Sequence, residues 1–379
     1  MTVRFGIVGF GNIGQTHAQT LLSGSVPGAE LTAVVSSRDD IELAPGIGVY
    51  ADIEAMIAAQ VVDAVIVATP TMDHVTTAEK VFAANLHLVI EKPVAMSVAQ
   101  VESLIAKQPA NCVAAVMLNQ RYHPVYRRIQ NLIAEGELGR LQRFSWQMTA
   151  WYRPDVYFQV SSWRGTWPGE GGGALVNQCI HNIDVMQWIL GMPHALVADA
   201  KFGKTHDIEV EDEVSALLRY DSGLSGSMIA STGEAPGVNR LDIVGDLGSI
   251  VFDGETLTLL RAHENVSEHL KNTREMFGVP AFRAETLEVD DDVNQHACVL
   301  QDVVLAISDS QDLATPLAAG VDSIALANAM LLSTWQRSWV DLPLDTQLYE
   351  AELAKRVAES DLRTPKEIEV HIDMEDSYR

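Results

Sequence analysis

Three cysteines in 379 residues, Cys112, Cys179 and Cys298, are too few and too scattered for a disulfide framework or a zinc cage. Positive charge is scarce as well: 26 Lys and Arg stand against 51 Asp and Glu, a net charge of −25. That balance argues against nucleic acid and anionic membrane as partners, since both would repel it. No apolar run reaches the ~18 residues of a membrane span. The first strand pattern begins at Arg4 and leaves no room for a signal peptide, so a cytoplasmic protein is expected. Internal repeats and low-complexity linkers are missing, and no close His, Asp or Glu cluster has metal-ligand spacing, so no metal is expected. What is present is an ordinary globular composition, 47% hydrophobic and 20% charged, long enough for two domains that each bury a core.

The N-terminal run VRFGIVGFGNIG organises the rest. Residues 4–8 are apolar with β-branched and aromatic members, as a buried strand requires. Gly9, Gly11 and Gly14 follow at G-x-G-x-x-G spacing, ahead of a helix-compatible stretch through Leu22. In that context the first glycine permits a tight turn, the second admits a pyrophosphate, and the third lets helix and strand pack closely. Free N–H groups at the helix start, on Asn12, Ile13 and Gly14, suit phosphate oxygens. A dinucleotide site is the expectation.

The next strand, 30–37, ends at Ser36, Ser37 and Arg38, then Asp39 and Asp40. Hydroxyls beside a guanidinium suit a 2′-phosphate and favour NADP(H); an Asp39 on the ribose would favour NAD(H), which stays open. Helices at 52–59, 73–84 and 97–107 alternate with strands at 61–68, 87–90 and 112–118, a doubly wound parallel unit over residues 1–118. Strand 61–68 stops at Thr69-Pro70 and strand 87–90 at Glu91-Lys92-Pro93. A lysine at that carboxyl edge points toward the ligand crevice, and the proline after it fixes local geometry, in a cis bond or as an ordinary helix start.

Beyond Gly139 the period changes to two, at 141–151, 195–202, 213–220, 224–231, 240–244, 249–252 and 257–261. Turn signals such as Asp221-Ser222-Gly223 separate these strands, as in a large, mostly antiparallel open sheet. Helical patterns fall at 124–134, 175–190, 293–307 and 320–335. The expectation is an α/β Rossmann domain followed by an α+β domain over 119–343. A charged tail over 344–379 ends as a short helix that frays. Asn177, His181 and Asp184 share one face of the helix expected at 175–190, and Gly171 to Gly173 at its start would admit a ligand. A loop between strand and helix is dense in aromatics and Arg, from Trp151 to Trp167; flat rings and guanidinium forks suit sugars and their acidic groups.

The glycine fingerprint, Glu91-Lys92-Pro93 and the run EGGGALVNQCIHNID at 170–184 together resemble one family. It is the glucose–fructose oxidoreductase, inositol dehydrogenase and rhizopine catabolism protein family of NAD(P)-dependent sugar and polyol dehydrogenases. Asn119-Gln120-Arg121-Tyr122-His123-Pro124 is similar to its N-x-R-x-x-P segment, and the likeness runs from residue 3 to about 343. The resemblance implies Lys92 and His181 as catalytic groups, with Asn177 where the family usually has Asp and Cys179 where it has Gly. An amide takes no proton, so Asn177 orients substrate and is not a base, and the resemblance then implies a sugar derivative, nucleotide-linked, keto or acidic, beside a plain sugar or polyol as substrate. Cofactor contacts are implied at Gly9, Gly11, Asn12, Ile13, Gly14, Ser37, Arg38, Thr69, Pro70, His74, Glu91 and Lys92. Substrate contacts are implied at Lys92, Arg121, Tyr122, Trp163, Arg164, Asn177 and His181. The implied partners are a sugar or polyol and further copies of the chain, as homodimer or homotetramer through the second sheet. Two other readings stand beside hydride transfer: a dinucleotide-binding sensor without turnover, and a bound-NAD enzyme whose net reaction is hydrolysis or elimination.

Overall fold

The computed structural model describes residues 2–38, 41, 43–290 and 292–371. Six strands form a wholly parallel sheet: β1 (Val3–Val8), β2 (Ala29–Val35), β3 (Gly48–Tyr50), β4 (Ala64–Val67), β5 (His87–Ile90) and β6 (Ala114–Val116). Their order is β3-β2-β1-β4-β5-β6, so the direction of winding reverses between β1 and β4, and the crevice for a ligand opens there. Strand β4 is buried on both faces, which is why its residues read as an unbroken apolar run. Helices α1 (Asn12–Leu22), α2 (Ile53–Ala58), α3 (Thr71–Ala83) and α4 (Val98–Ala106) make the crossovers. The side chains of Asp52 and Ser97 cap α2 and α4.

After α5 (Pro124–Ala134) the chain builds β7 (Leu141–Met148), the short α6 (Asp155–Gln159) and α7 (Trp167–Glu170), and α8 (Ile180–Leu190). Then come β8 (Ala195–Phe202), β9 (Glu211–Arg219), β10 (Ser225–Ser231), β11 (Asn239–Gly245), β12 (Gly248–Phe252) and β13 (Leu257–Ala262). Helix α9 (Val266–Asn272) leads to β14 (Phe282–Leu287). Helices α10 (Gln295–Asp309) and α11 (Gly320–Gln336), strand β15 (Val340–Asp341) and helix α12 (Thr346–Ala358) complete the fold. The nine strands run β14-β13-β12-β11-β7-β10-β9-β8-β15, antiparallel except where β7 meets β10. In-facing residues such as Phe144, Trp146, Leu218 and Met228 are buried; their neighbours along each strand face outward, including Leu217 and Ile229.

Three findings depart from the sequence reading. Strands β3, β14 and β15 are short or partly exposed and carry no clear alternation. Helix α10 leaves the second sheet and packs Val299, Leu300, Val303 and Val304 beside Phe5 and Ile7 of the first and Leu21 of α1. The tail does not fray at once: Arg363 N and Lys366 N donate to the carbonyls of Ser162 and Gln159, so the segment straps the aromatic loop. The 20 residues at 317–336 have the length and hydropathy of a membrane span, yet α11 lies in the core against α8 and β8.

Candidate active site

The fingerprint glycines behave as three different devices. Gly9 has φ 95°, and a Cβ there would lie 2.6 Å from Ala68 O; Gly14 is so close to Gly9 O that a Cβ would lie 2.1 Å from it. A Cβ on Gly11, at the N-cap of α1, would meet nothing within 4 Å, so that position borders open space. Behind it the amides of Asn12, Ile13 and Gly14 lie in the first helical turn, which lacks carbonyl partners within the helix. Turn, opening and close packing fit a dinucleotide pyrophosphate. On the ribose side Ser36 Oγ accepts from Arg38 N at 3.1 Å and Ser37 lies between them, while Asp39 and Asp40 lie outside the described residues.

The lysine at the end of β5 reaches across to the second half of the chain. Lys92 Nζ donates to Asn177 O at 3.1 Å and lies 3.4 Å from Asn177 Oδ1; the Lys92-Pro93 bond is cis. Burial pushes the Lys92 ammonium below its ordinary range, and the Glu91 carboxylate opposes that. Glu91 is buried and accepts from His17 Nε2 at 2.7 Å and from Lys92 N at 3.1 Å. Burial alone would raise its pKa, but the His17 hydrogen bond and the charges of His17, Lys92 and His296 hold it at about 2.

His181 is buried in the first turn of α8, and its Nδ1 has no partner. Burial first, and the Lys92 charge second, drive its pKa well below the ordinary histidine range, so the ring is neutral at pH 7. Asn177 is not on the helix with it. Helix α8 starts at Ile180: Gly171, Gly172 and Gly173, with Gly171 left-handed at φ 72°, lead into a turn that Glu211 holds through Ala174 N and Leu175 N. The turn over 174–179 leaves the Asn177 carbonyl for Lys92. Nor do these glycines open toward a ligand: Cβ atoms on Gly171 and Gly173 would strike Met96 and Glu211 O.

Sequence reasoning missed Glu170. Its Oε1 accepts from Asn177 Nδ2 at 2.5 Å and its Oε2 from Gly165 N at 2.6 Å. Burial raises its pKa; the two hydrogen bonds and the charges of Arg164 and Lys92 oppose that. A carboxyl therefore stands one amide away from Lys92, and the only written signal was an acidic residue opening the glycine run. Tyr157 was missed as a site residue too. Its ring has Arg164 over it at 4.4 Å and Arg153 at 5.4 Å, and its hydroxyl accepts from Gln178 Nε2 at 3.3 Å. Burial raises the phenol, but the charges of Arg164, Arg153 and Lys92 outweigh it and lower the pKa. Arg164 also lies over Trp163 at 4.7 Å, and its buried Nε has no hydrogen-bond partner.

Three expected contacts are engaged elsewhere. Arg121 forms a two-pronged pair with Asp184, at 2.8 and 2.7 Å, and donates to Ala314 O. The Tyr122 hydroxyl donates to Asp302 on α10, with Arg127 over the ring at 4.5 Å. His74 is buried and spans the carbonyls of Thr69 and Pro93, at 2.9 and 2.8 Å. Each joins elements that the backbone leaves apart, so their polar atoms are already spent on the fold. Among the described residues no group of three or more His, Cys, Asp or Glu side chains is placed to hold a metal.

Comparison with known proteins agrees with this geometry. Residues 3–118 match the oxidoreductase family with an NAD-binding Rossmann fold, and residues 126–251 match the GFO/IDH/MocA C-terminal domain. The chain is 26% identical over 276 residues to a myo-inositol 2-dehydrogenase of Thermotoga maritima, covering 68% of this chain and 78% of that protein. It is 25% identical over 319 residues to a levoglucosan dehydrogenase of Pseudarthrobacter phenanthrenivorans, covering 73% and 79%. In fold it is similar to the WlbA dehydrogenase of Bordetella pertussis, solved with NADH and UDP-GlcNAcA, at a TM-score of 0.77, 24% identity and coverage of 91% and 100%. With both halves matched and the sheet order, fingerprint and Glu91-Lys92-Pro93 edge in place, the chain belongs to the GFO/IDH/MocA family of oxidoreductases.

Proposed function

We propose that this oxidoreductase moves a hydride between nicotinamide and a hydroxyl-bearing or keto carbon of a sugar or polyol, with Lys92 handling the proton. The observation that carries the reading is the Lys92 ammonium, half-buried at the carboxyl edge of β5 and held on Asn177 within electrostatic reach of neutral His181. A bound nicotinamide supplies the hydride acceptor or donor at its C4. Lys92 Nζ, made easier to deprotonate by burial, accepts the carbinol proton in oxidation and returns it in reduction. His181, neutral at pH 7, is the relay for that proton. Asn177 keeps its oxygen toward Lys92 because Glu170 occupies its nitrogen, so the amide orients the lysine and the adjoining hydroxyl. Trp163 and Arg164 border the substrate, and Arg164 brings a guanidinium with an unmet donor.

The cofactor reading keeps NADP(H) ahead of NAD(H) on Ser37 and Arg38. The names of the inositol and levoglucosan dehydrogenases support a cyclic polyol or sugar as substrate. We place the enzyme in the cytoplasm as a homodimer or homotetramer, joined through the outer face of the second sheet, where Leu217 and Ile229 are exposed; sedimentation of the purified chain tests that assembly. The deciding experiment for function is a fluorescence titration with NADPH and NADH, followed by absorbance screening of sugars, polyols and keto-sugars. Binding of neither dinucleotide refutes the proposal.

A further inference from the structure

A cavity of about 370 Å³ lies between the second sheet and the start of α10, on the His181 side of the site. It draws walls from β7, β11, β12 and the start of α10, none of which belongs to the dinucleotide cradle. Its neighbours place it beside the chemistry. Asn182, in its wall, follows His181, and His296, also in its wall, lies edge-on to His17 with ring centroids 5.4 Å apart, close to Glu91.

The chemistry of the wall is selective. One residue in five of this chain is charged, yet no Asp, Glu, Lys or Arg lines the cavity among the described residues. Amides dominate instead, Asn119, Gln120, Asn182, Asn239 and Gln295 among them, with the rings of Tyr126 and Trp151. Side-chain amides donate and accept, which matches hydroxyl groups, and an aromatic face suits the C–H face of a pyranose. Trp151 is fixed by its own hydrogen bond to Asn182 Oδ1 at 2.9 Å, and Tyr126 by one from Asn239 at 3.2 Å. The volume falls in the range of small-ligand pockets, ~300–1,000 Å³.

We propose that this cavity is a subsite for a second, uncharged sugar ring, so that the substrate is a neutral glycoside such as a disaccharide, with its reacting unit at Lys92 and His181. The inference rests on the sugar-oxidoreductase reading above for the position of the reacting unit. A nucleotide-linked sugar is the rival occupant, and the wall lacks the Lys or Arg that a diphosphate calls for.

The test is calorimetric titration of the full-length protein, with and without saturating NADH, using glucose, maltose, cellobiose, trehalose and UDP-glucose. The expected result is that at least one disaccharide binds ten-fold or more tightly than glucose. Gln295→Ala, at a half-buried wall position, and Gln120→Leu should cut that advantage below three-fold, with glucose and NADH affinities unchanged. Equal binding of glucose and all three disaccharides overturns the proposal, as does tight binding confined to UDP-glucose. Loss of NADH affinity in Gln295→Ala equal to its loss of disaccharide affinity would assign the cavity to the cofactor and overturn it as well. Failure of the unaltered protein to bind any dinucleotide refutes the oxidoreductase reading separately, while the cofactor-free sugar titration still decides the cavity.

Discussion

Replacing Arg121 by Ala separates an anchoring residue from a substrate contact. In the folded chain the guanidinium meets both oxygens of Asp184, at 2.8 and 2.7 Å, and the Asp184 side chain has no exposed surface. After truncation the carboxylate keeps only Gln187 Nε2, at 2.9 Å. Breaking one partner of a buried pair costs about 3–5 kcal/mol, because the remaining charge is stranded away from water. For 379 residues unfolding as one unit that lowers Tm by about 4–6 °C. The loss depends on pH with a definite sign. Burial already raises Asp184 above the ordinary carboxyl range, and Arg121 opposes that. Without Arg121 the folded-state pKa climbs further above the unfolded one. Stability tied to the neutral acid is then full below the unfolded pKa and is lost as pH rises through the folded one. The deficit should accordingly be larger at pH 8 than at pH 5. The assay is thermal and urea unfolding at both pH values, beside cofactor titration. A variant that melts within a degree of the parent, with a raised substrate KM, would refute the anchoring role and return Arg121 to the substrate.

Lys92→Ala should reduce turnover by at least about a thousand-fold while leaving NADPH affinity within a few fold, since a positioned acid–base group is worth about 10²–10⁴ and burial tuning adds to it; surviving activity in stopped-flow assays would reject the proton assignment. Arg38→Ala should weaken NADPH about ten-fold or more and NADH little, as expected for a lost charge-assisted hydrogen bond. Equal losses by fluorescence titration would discard the phosphate pocket. Asn177→Asp would put a second carboxyl 2.5 Å from Glu170 and a negative charge beside Lys92. One of the two carboxyls must then hold a proton, and the lysine pKa must rise. The pH–rate profile for alcohol oxidation should therefore move to higher pH; an unchanged profile would show that Lys92 does not titrate in the reaction.

Much of this protein is written locally. The apolar run of β4, the caps Asp52 and Ser97, and Gly9, Gly11 and Gly14 are decided by propensity, hydrogen-bonding side chains and backbone sterics within a few residues. Period-two alternation equally marks β8 and β13, because each has one buried face. From such signals the parallel sheet, the larger mostly antiparallel sheet and the dinucleotide turn follow directly, and Lys92 falls at the crevice edge, while His181 is marked by the family resemblance. Packing over long sequence separations decided the rest. Helix α10 reads as an amphipathic helix wherever it docks, and only the unfilled face of the first sheet sends it beside Phe5 and Ile7. Asn177 looked helical by spacing, but Glu211 of β9 holds the segment ahead of it through Ala174 N and Leu175 N, so the helix waits until Ile180. Arg121, Tyr122 and His74 have side chains able to hold a ligand or a neighbouring element, and no local rule chooses between the two. The tertiary structure chose, because it brings buried Asp184, half-buried Asp302 and the carbonyls of Thr69 and Pro93 against these side chains as hydrogen-bond partners.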